Sequence, residues 1–242
     1  MTIQDAISNY LRHSGCKQQY FTTALIDCDG VLFDTMKNHT RAWVKLMKKN
    51  GIKCSRDEFY LYEGMTGVEI VKKKFLEGAG KVITDDEARA IYGVKGRYFL
   101  ELGETHKIAG IDQVMEVLKD YGIERIVVTG SQQPSVLDRI DREFAGMVSE
   151  KRITGNDVRH GKPSPEPYMK GIEKAGAKAN QCIVIENAPL GVQSGHAAGC
   201  FTIAVMTGPI SEKDLYKAGA DLVLPNMIAL AEALPQILNP GD

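Results

Sequence analysis

The chain is poor in the features that mark secreted, membrane-spanning and nucleic-acid-binding proteins. Its five cysteines (Cys16, Cys28, Cys54, Cys182 and Cys200) are odd in number, scattered and without a CxxC pair. That pattern argues against a disulfide framework or a zinc site and for reduced, mostly buried thiols. No apolar run approaches the roughly 20 residues of a membrane span, and the first twenty residues hold no continuous apolar segment. A cytoplasmic location is expected, which leaves the Asn38-His39-Thr40 sequon without consequence. Neither sign of charge dominates, with 30 Lys plus Arg against 31 Asp plus Glu. No basic field exists to attract nucleic acid or an anionic membrane, so neither is expected as a partner. A GxGxxG fingerprint is absent. The stretch from Gly155 to Lys162 resembles a P-loop only superficially, with Pro163 where Ser or Thr is needed. A nucleotide-cofactor oxidoreductase is therefore disfavoured.

What is present is an ordinary globular composition, 43% hydrophobic and 25% charged over 242 residues, enough for one large domain or two unequal ones. The run TALIDCDGVLFDT at 23–35 carries the strongest signal. Ala24, Leu25 and Ile26 read as a strand buried on both faces of a parallel sheet, and the run stops at Asp27 with Asp29 two positions on. Two carboxylates at a strand's carboxyl end can hold a divalent cation while one oxygen attacks an electrophile. Cys28, between them, points to the opposite face and reads as packing.

An amphipathic helix is predicted over 3–12 as an accessory element. Residues 37–104 carry helical spacing and no good strand, with Trp43, Leu46 and Met47 on one face and Gly51 as a stop signal. Ser55 with Glu58, Thr66 with Glu69 and Thr84 with Glu87 fit the capping-box spacing. Thereafter strands are expected at 125–129, 182–186, 201–205 and 221–224, with a weaker one near 151–154. Helices are expected at 111–121, 135–144, 165–175, 190–198 and 211–218. This alternation implies an α/β fold, a three-layer, doubly wound, Rossmann-like parallel sheet. The domain division expected is a core of 1–36 and 105–242, with 1–20 as its helical extension, interrupted by a helical cap at 37–104.

Three further polar clusters fall at strand ends. Thr129, Gly130 and Ser131 offer hydroxyls and backbone N–H groups to phosphoryl oxygens. Lys162, before a helix starting near Pro165, supplies a cation, and Glu186 with Asn187 supplies oxygens for a hard cation. Singly, each reads as well as a helix cap, a surface lysine or a solvated strand end. Four such clusters in this order do not.

The series DCDGVLFDT, VVTGS, GKPSPEPY and VIENAPLGVQSGHAAG resembles the four motifs of the haloacid dehalogenase superfamily. The helical insert, with Asp34, Thr35, His39, Arg41, Ala42 and Trp43, resembles that of the β-phosphoglucomutase-like branch. The resemblance implies Asp27 as nucleophile, forming an aspartyl-phosphate, and Asp29 as general acid and then base. It implies that Thr129 and Lys162 hold the transferring group, assisted by Gly130 and Ser131. Mg²⁺ would be bound by Asp27, the Asp29 carbonyl and Glu186. Many relatives carry Asp where this chain has Asn187, which retains a carbonyl oxygen, so weaker metal affinity with activity retained is expected.

In the insert, His39, Glu63 and Trp43 are the candidates to contact substrate. Sugar-phosphate mutases of the branch carry an arginine where this chain has Gly67, within Met65-Thr66-Gly67-Val68. That loss favours a hydrolase, and the EGMTG and ENAPLGV segments look like a subgroup of small-substrate phosphatases and an inorganic pyrophosphatase. The expected function is thus a Mg²⁺-dependent phosphohydrolase with pyrophosphate as leading substrate. β-Phosphoglucomutase activity is the alternative, and a non-catalytic phosphometabolite-binding protein the third reading. The partner expected is a small phosphorylated molecule or pyrophosphate, and the chain is expected to be a monomer or weak homodimer.

Overall fold

The computed structural model describes residues 1–239. Six strands, β1 (Thr23–Ile26), β2 (Glu124–Val128), β3 (Arg152–Ile153), β4 (Cys182–Glu186), β5 (Phe201–Val205) and β6 (Leu222–Leu224), form one sheet in the order β3-β2-β1-β4-β5-β6. Every pairing is parallel. Successive residues of β1 face opposite cores: Ala24 and Ile26 join one buried cluster and Leu25 another. Both faces are covered, which is why the strand reads as an unbroken apolar run.

The α/β reading holds, with the strands within a few residues of their predicted places. Helix α1 (Ile3–Ser14) packs against the last helix, α11 (Met227–Leu238), and Tyr10 meets Phe201 edge-on with ring centroids 5.2 Å apart. Helix α11 is absent from the elements predicted above. It is apolar nearly all round and contains Pro235, so it has no polar face to reveal a helical period. Its buried side includes Leu230, Leu234 and Ile237.

Between β1 and β2 lie α2 (Met36–Lys49), α3 (Arg56–Leu61), α4 (Gly67–Ala79), α5 (Asp85–Leu100) and, back on the sheet, α6 (Ile111–Asp120). Helices α2 to α5 share their own apolar cluster, centred on Trp43, Leu46, Met47, Phe59, Ile70 and Phe75. The three predicted capping boxes open α3, α4 and α5. Thr35 stands at the N-cap of α2 but, with αR rather than extended backbone angles, makes no capping bond; its hydroxyl is donated to Asp29. The remaining helices, α7 (Pro134–Glu143), α8 (Glu166–Ala175), α9 (Pro189–Ala197) and α10 (Glu212–Lys217), complete the alternation. Among the described residues, no helix is long and apolar enough to cross a membrane.

In open parallel sheets the chain leaves neighbouring strands in opposite directions at the switch point, opening a crevice beyond their carboxyl ends. Here β1 sits between β2 and β4, with Ile26 level with Val127 and Ile185. The residues just beyond, Asp27, Thr129 and Glu186, are thereby brought to one place.

Candidate active site

Asp27, Lys162 and Glu186 form the centre of the crevice. The Lys162 Nζ donates to Asp27 at 2.5 Å, to Glu186 at 2.6 Å and to the Val128 carbonyl at 3.2 Å. All three side chains are almost fully buried. Such a cluster persists only if each charge is paired. Burial opposes the charge on Lys162, but the two carboxylates outweigh it and hold the ammonium above its ordinary range. Burial and the neighbouring Glu186 raise Asp27 to about 8 against the pull of Lys162. Beneath them, Tyr168 of α8 donates its hydroxyl to Glu186 at 2.6 Å, and the Asn187 N–H donates to the second Glu186 oxygen at 3.1 Å.

Asp29 is held from the other side. It accepts the Thr35 hydroxyl at 2.5 Å and the His39 Nε2–H at 3.0 Å. His39 is stacked on Phe99, and its Nδ1 faces the buried Lys95 ammonium of α5. Burial and Lys95 lower His39, so the ring is neutral, with Nε2–H toward Asp29 and the Nδ1 lone pair toward Lys95. Burial alone brings Lys95 down to about 7, even with Asp29 nearby. For Asp29, burial is outweighed by His39, Thr35 and Lys95, and its carboxyl lies well below the usual range.

The turn before α4 closes over this centre. Asn187 Nδ2 donates to Glu63 at 2.9 Å, and burial, followed by the nearby carboxylates, pushes Glu63 well up. Gly30, at φ +77°, lies so close that a Cβ there would fall 2.1 Å from Asn187 Nδ2, so only glycine fits. A small cavity of about 50 Å³ remains, lined by Asp27, Asp29, His39, Trp43, Glu63, Gly130 and Ser131 among others. Trp43 contributes wall and packing, stacked between Phe59 and Tyr92. Thr129, Lys162, Glu186 and Asn187 lie behind this lining, and the Thr129 hydroxyl accepts the Ser131 N–H at 3.1 Å. All eleven residues singled out from the sequence are thus gathered here.

Sequence reasoning missed Thr35, Tyr92, Lys95 and Tyr168. Tyr92 approaches Ser131, Gln132 and Gln133, and burial raises its hydroxyl to about 12. The one available signal for Tyr92 and Lys95 was their helical phase with Ala88 and Phe99 on a single face of α5.

The donor set suits a hard divalent cation. Asn187 Oδ1 is buried without a hydrogen-bond partner, beside an excess of carboxylates over the single Lys162 charge. Among the described residues no group of three His, Cys, Asp or Glu side chains has metal-binding spacing. The set available here is different: two carboxylates, an amide oxygen and main-chain carbonyl groups.

Residues 21–199 match the family described as haloacid dehalogenase-like hydrolase. Hexitol phosphatase A of Escherichia coli K12 is 29% identical over 185 residues, covering 75% of this chain and 81% of that protein. The phosphorylated carbohydrates phosphatase of Thermotoga maritima is 25% identical over 206 residues, covering 84% and 94%. A solved Bacteroides vulgatus structure, provisionally described as a β-phosphoglucomutase, superposes with a TM-score of 0.92 at 39% identity, covering 97% of this chain and 96% of that one. The site, the sheet order and these matches agree: the chain belongs to the haloacid dehalogenase-like hydrolases, in their β-phosphoglucomutase-like branch.

Proposed function

We propose that the chain is a Mg²⁺-dependent phosphohydrolase working through an aspartyl-phosphate on Asp27. The observation that carries this reading is the buried Asp27–Lys162–Glu186 cluster, a nucleophile paired to the cation that would neutralise the transferring group. An Asp27 oxygen attacks phosphorus, the bond from phosphorus to the leaving oxygen breaks, and Lys162 with the Thr129–Ser131 loop balances the equatorial charge. Water then attacks the same phosphorus, gives its proton to Asp29, and the bond to Asp27 breaks. Held by Asp27, Glu186, Asn187 and the Asp29 carbonyl, Mg²⁺ would supply Lewis-acid charge neutralisation. Helices α2 to α5 act in this reading as the cap that excludes bulk water.

The leading substrate is inorganic pyrophosphate. Three observations support a compact, self-sufficient leaving group. The catalytic cavity is only about 50 Å³. Asp29 is held in its ionised form, suited to activating water, whereas an alkoxide leaving group requires a proton from it. At Gly67 a side chain would collide with the Tyr92 ring at 2.1 Å, so the arginine of the mutases has no space and the mutase alternative loses its second phosphate site. A second reading, a phosphatase for phosphorylated sugars or polyols, is favoured by what the E. coli and T. maritima relatives are named for. It requires the Glu63 side of the cavity to open.

The test is a comparison of Mg²⁺-dependent kcat/KM for pyrophosphate, hexose phosphates and hexitol phosphates, alongside conversion of β-glucose 1-phosphate. Dominant release from pyrophosphate is expected. Efficient glucose 6-phosphate formation would restore the mutase, and tight phosphate binding without turnover would favour a non-catalytic binder.

A further inference from the structure

A glutamate closes each of the three capping boxes of the insert, and the oxygen not used in the box has a different fate in each. In α3, Glu58 caps with Oε1, 2.8 Å from the Ser55 nitrogen, and its Oε2 accepts from Lys74 at 2.6 Å inside the insert. In α5, Glu87 caps on the exposed surface with Oε2, which takes the Thr84 N–H at 2.8 Å and the Thr84 hydroxyl at 3.0 Å. In α4, Glu69 likewise caps with Oε2, taking the Thr66 N–H at 2.9 Å and the Thr66 hydroxyl at 2.7 Å. Its Oε1, however, reaches out of the insert and accepts the Gly161 N–H at 3.2 Å. Gly161 is 92 positions away and immediately precedes Lys162.

This bond lies where the insert and the Lys162 loop meet at close range. A Cβ at Gly161 would fall 2.6 Å from Glu69 Oε2 and 2.8 Å from the Thr66 nitrogen, so no side chain fits there. A Cβ at Gly64 would fall 2.8 Å from Lys162 Cδ, so the turn before α4 lies directly on the methylene stem of that lysine. The insert thus grips Lys162 twice, through the N–H of its chain neighbour and along its stem. Beyond both grips the ammonium reaches Asp27 at 2.5 Å and Glu186 at 2.6 Å. A lysine carries its charge on a flexible four-carbon stem, so the place where that charge rests depends on how the base of the stem is fixed.

We propose that Glu69 is a positioning residue for phosphoryl transfer. One carboxylate oxygen caps α4, and the other fixes the Gly161–Lys162 backbone so that the Lys162 ammonium stays aligned between Asp27 and Glu186. Glu69 touches no reacting atom and acts through Lys162. Because Lys162 serves the transferring group and not the leaving group, the effect is common to every phosphorylated substrate. The inference rests on the phosphohydrolase reading and adds a residue to it.

The experiment compares Glu69→Gln with Glu87→Gln. Glutamine closes a capping box as glutamate does, so both helices keep their caps. It has one side-chain oxygen where Glu69 uses two, and the oxygen with two donors in the box prevails over the one with a single donor at 3.2 Å. In Glu69→Gln an amide nitrogen therefore faces the Gly161 N–H. The readouts are kcat and KM for pyrophosphate and a hexitol phosphate, exchange of the Gly161 amide by NMR, and Tm. In Glu69→Gln, kcat is expected to fall at least about tenfold on every substrate the wild type hydrolyses, with KM changed much less, as for a displaced catalytic group. The Gly161 amide should exchange at least about tenfold faster. Tm should stay within about 2 °C of wild type, and Glu87→Gln should change none of these. A kcat within a factor of two of wild type, an unchanged Gly161 exchange rate, or an equal loss in Glu87→Gln would overturn the proposal. So would a loss confined to one substrate, or one matched by a fall in Tm. A wild type that hydrolyses no phosphorylated substrate would instead remove the phosphohydrolase reading, and the positioning role with it.

Discussion

His39 donates to Asp29 at 3.0 Å, and through this contact a helix of the insert touches the residue proposed to exchange protons with the leaving group and water. The contact joins α2 to the loop at the carboxyl end of β1 and fixes where the Asp29 carboxylate points.

Removing the imidazole should therefore disarm Asp29 while leaving the binding groups in place. His39→Ala is expected to lower kcat by about 100-fold, the scale of positioned acid–base catalysis, with a smaller change in KM. Steady-state kinetics on pyrophosphate check this. A kcat unchanged within a factor of two would mean that Asp29 works without its histidine.

Tyr168 reaches the proposed metal side of the site by donating to Glu186 at 2.6 Å, while the Lys162 ammonium lies 4.9 Å from the centre of its ring. The terminal torsion of a glutamate is broad, so the orientation of its carboxylate has to come from its donors. Tyr168→Phe preserves the buried ring and deletes one donor, and such outer-sphere losses typically cost about tenfold in metal affinity. Calorimetric titration with Mg²⁺ should show that weakening, with kcat at saturating Mg²⁺ changed much less. Unaltered affinity would leave Tyr168 a packing residue.

Stability should depend on pH through Asp221, which accepts the Thr202 N–H at 2.7 Å. Burial raises its carboxyl to about 6 from 3.8, against the opposing Thr202 bond and His196. The folded chain thus holds this proton more tightly than the unfolded chain. The associated stability is fully present below pH 3.8 and is lost as pH rises through about 6. Asp221→Asn keeps an acceptor oxygen and cannot ionise. Relative to wild type it should gain about 2 kcal/mol on going from pH 4 to pH 8, as read from urea unfolding at the two pH values. An identical difference at both would contradict the assignment.

How much was legible in the sequence follows from where each residue's partners lie. Asp27 and Lys162 are 135 positions apart and still readable together, because each ends or follows an apolar run and a parallel sheet aligns such ends. The capping boxes were readable because both partners lie three residues apart. Lys95 was not: nothing near it announces His39, 56 positions away. Nor does anything near Tyr168 announce Glu186, 18 positions on, to which its hydroxyl donates across the interior. Thr35 was not legible either: its hydroxyl donates to Asp29, six positions back across the turn that leaves β1, and no helix or strand period joins the two.

The most direct test of the account is to trap the intermediate. The protein is mixed with Mg²⁺ and ³²P-labelled pyrophosphate, quenched in acid during turnover and mapped by peptide mass spectrometry. The account predicts acid-stable phosphate on the peptide carrying Asp27, absent from the nearly isosteric Asp27→Asn variant, which folds normally and does not turn over. Turnover retained in Asp27→Asn, or label on another residue, would contradict it.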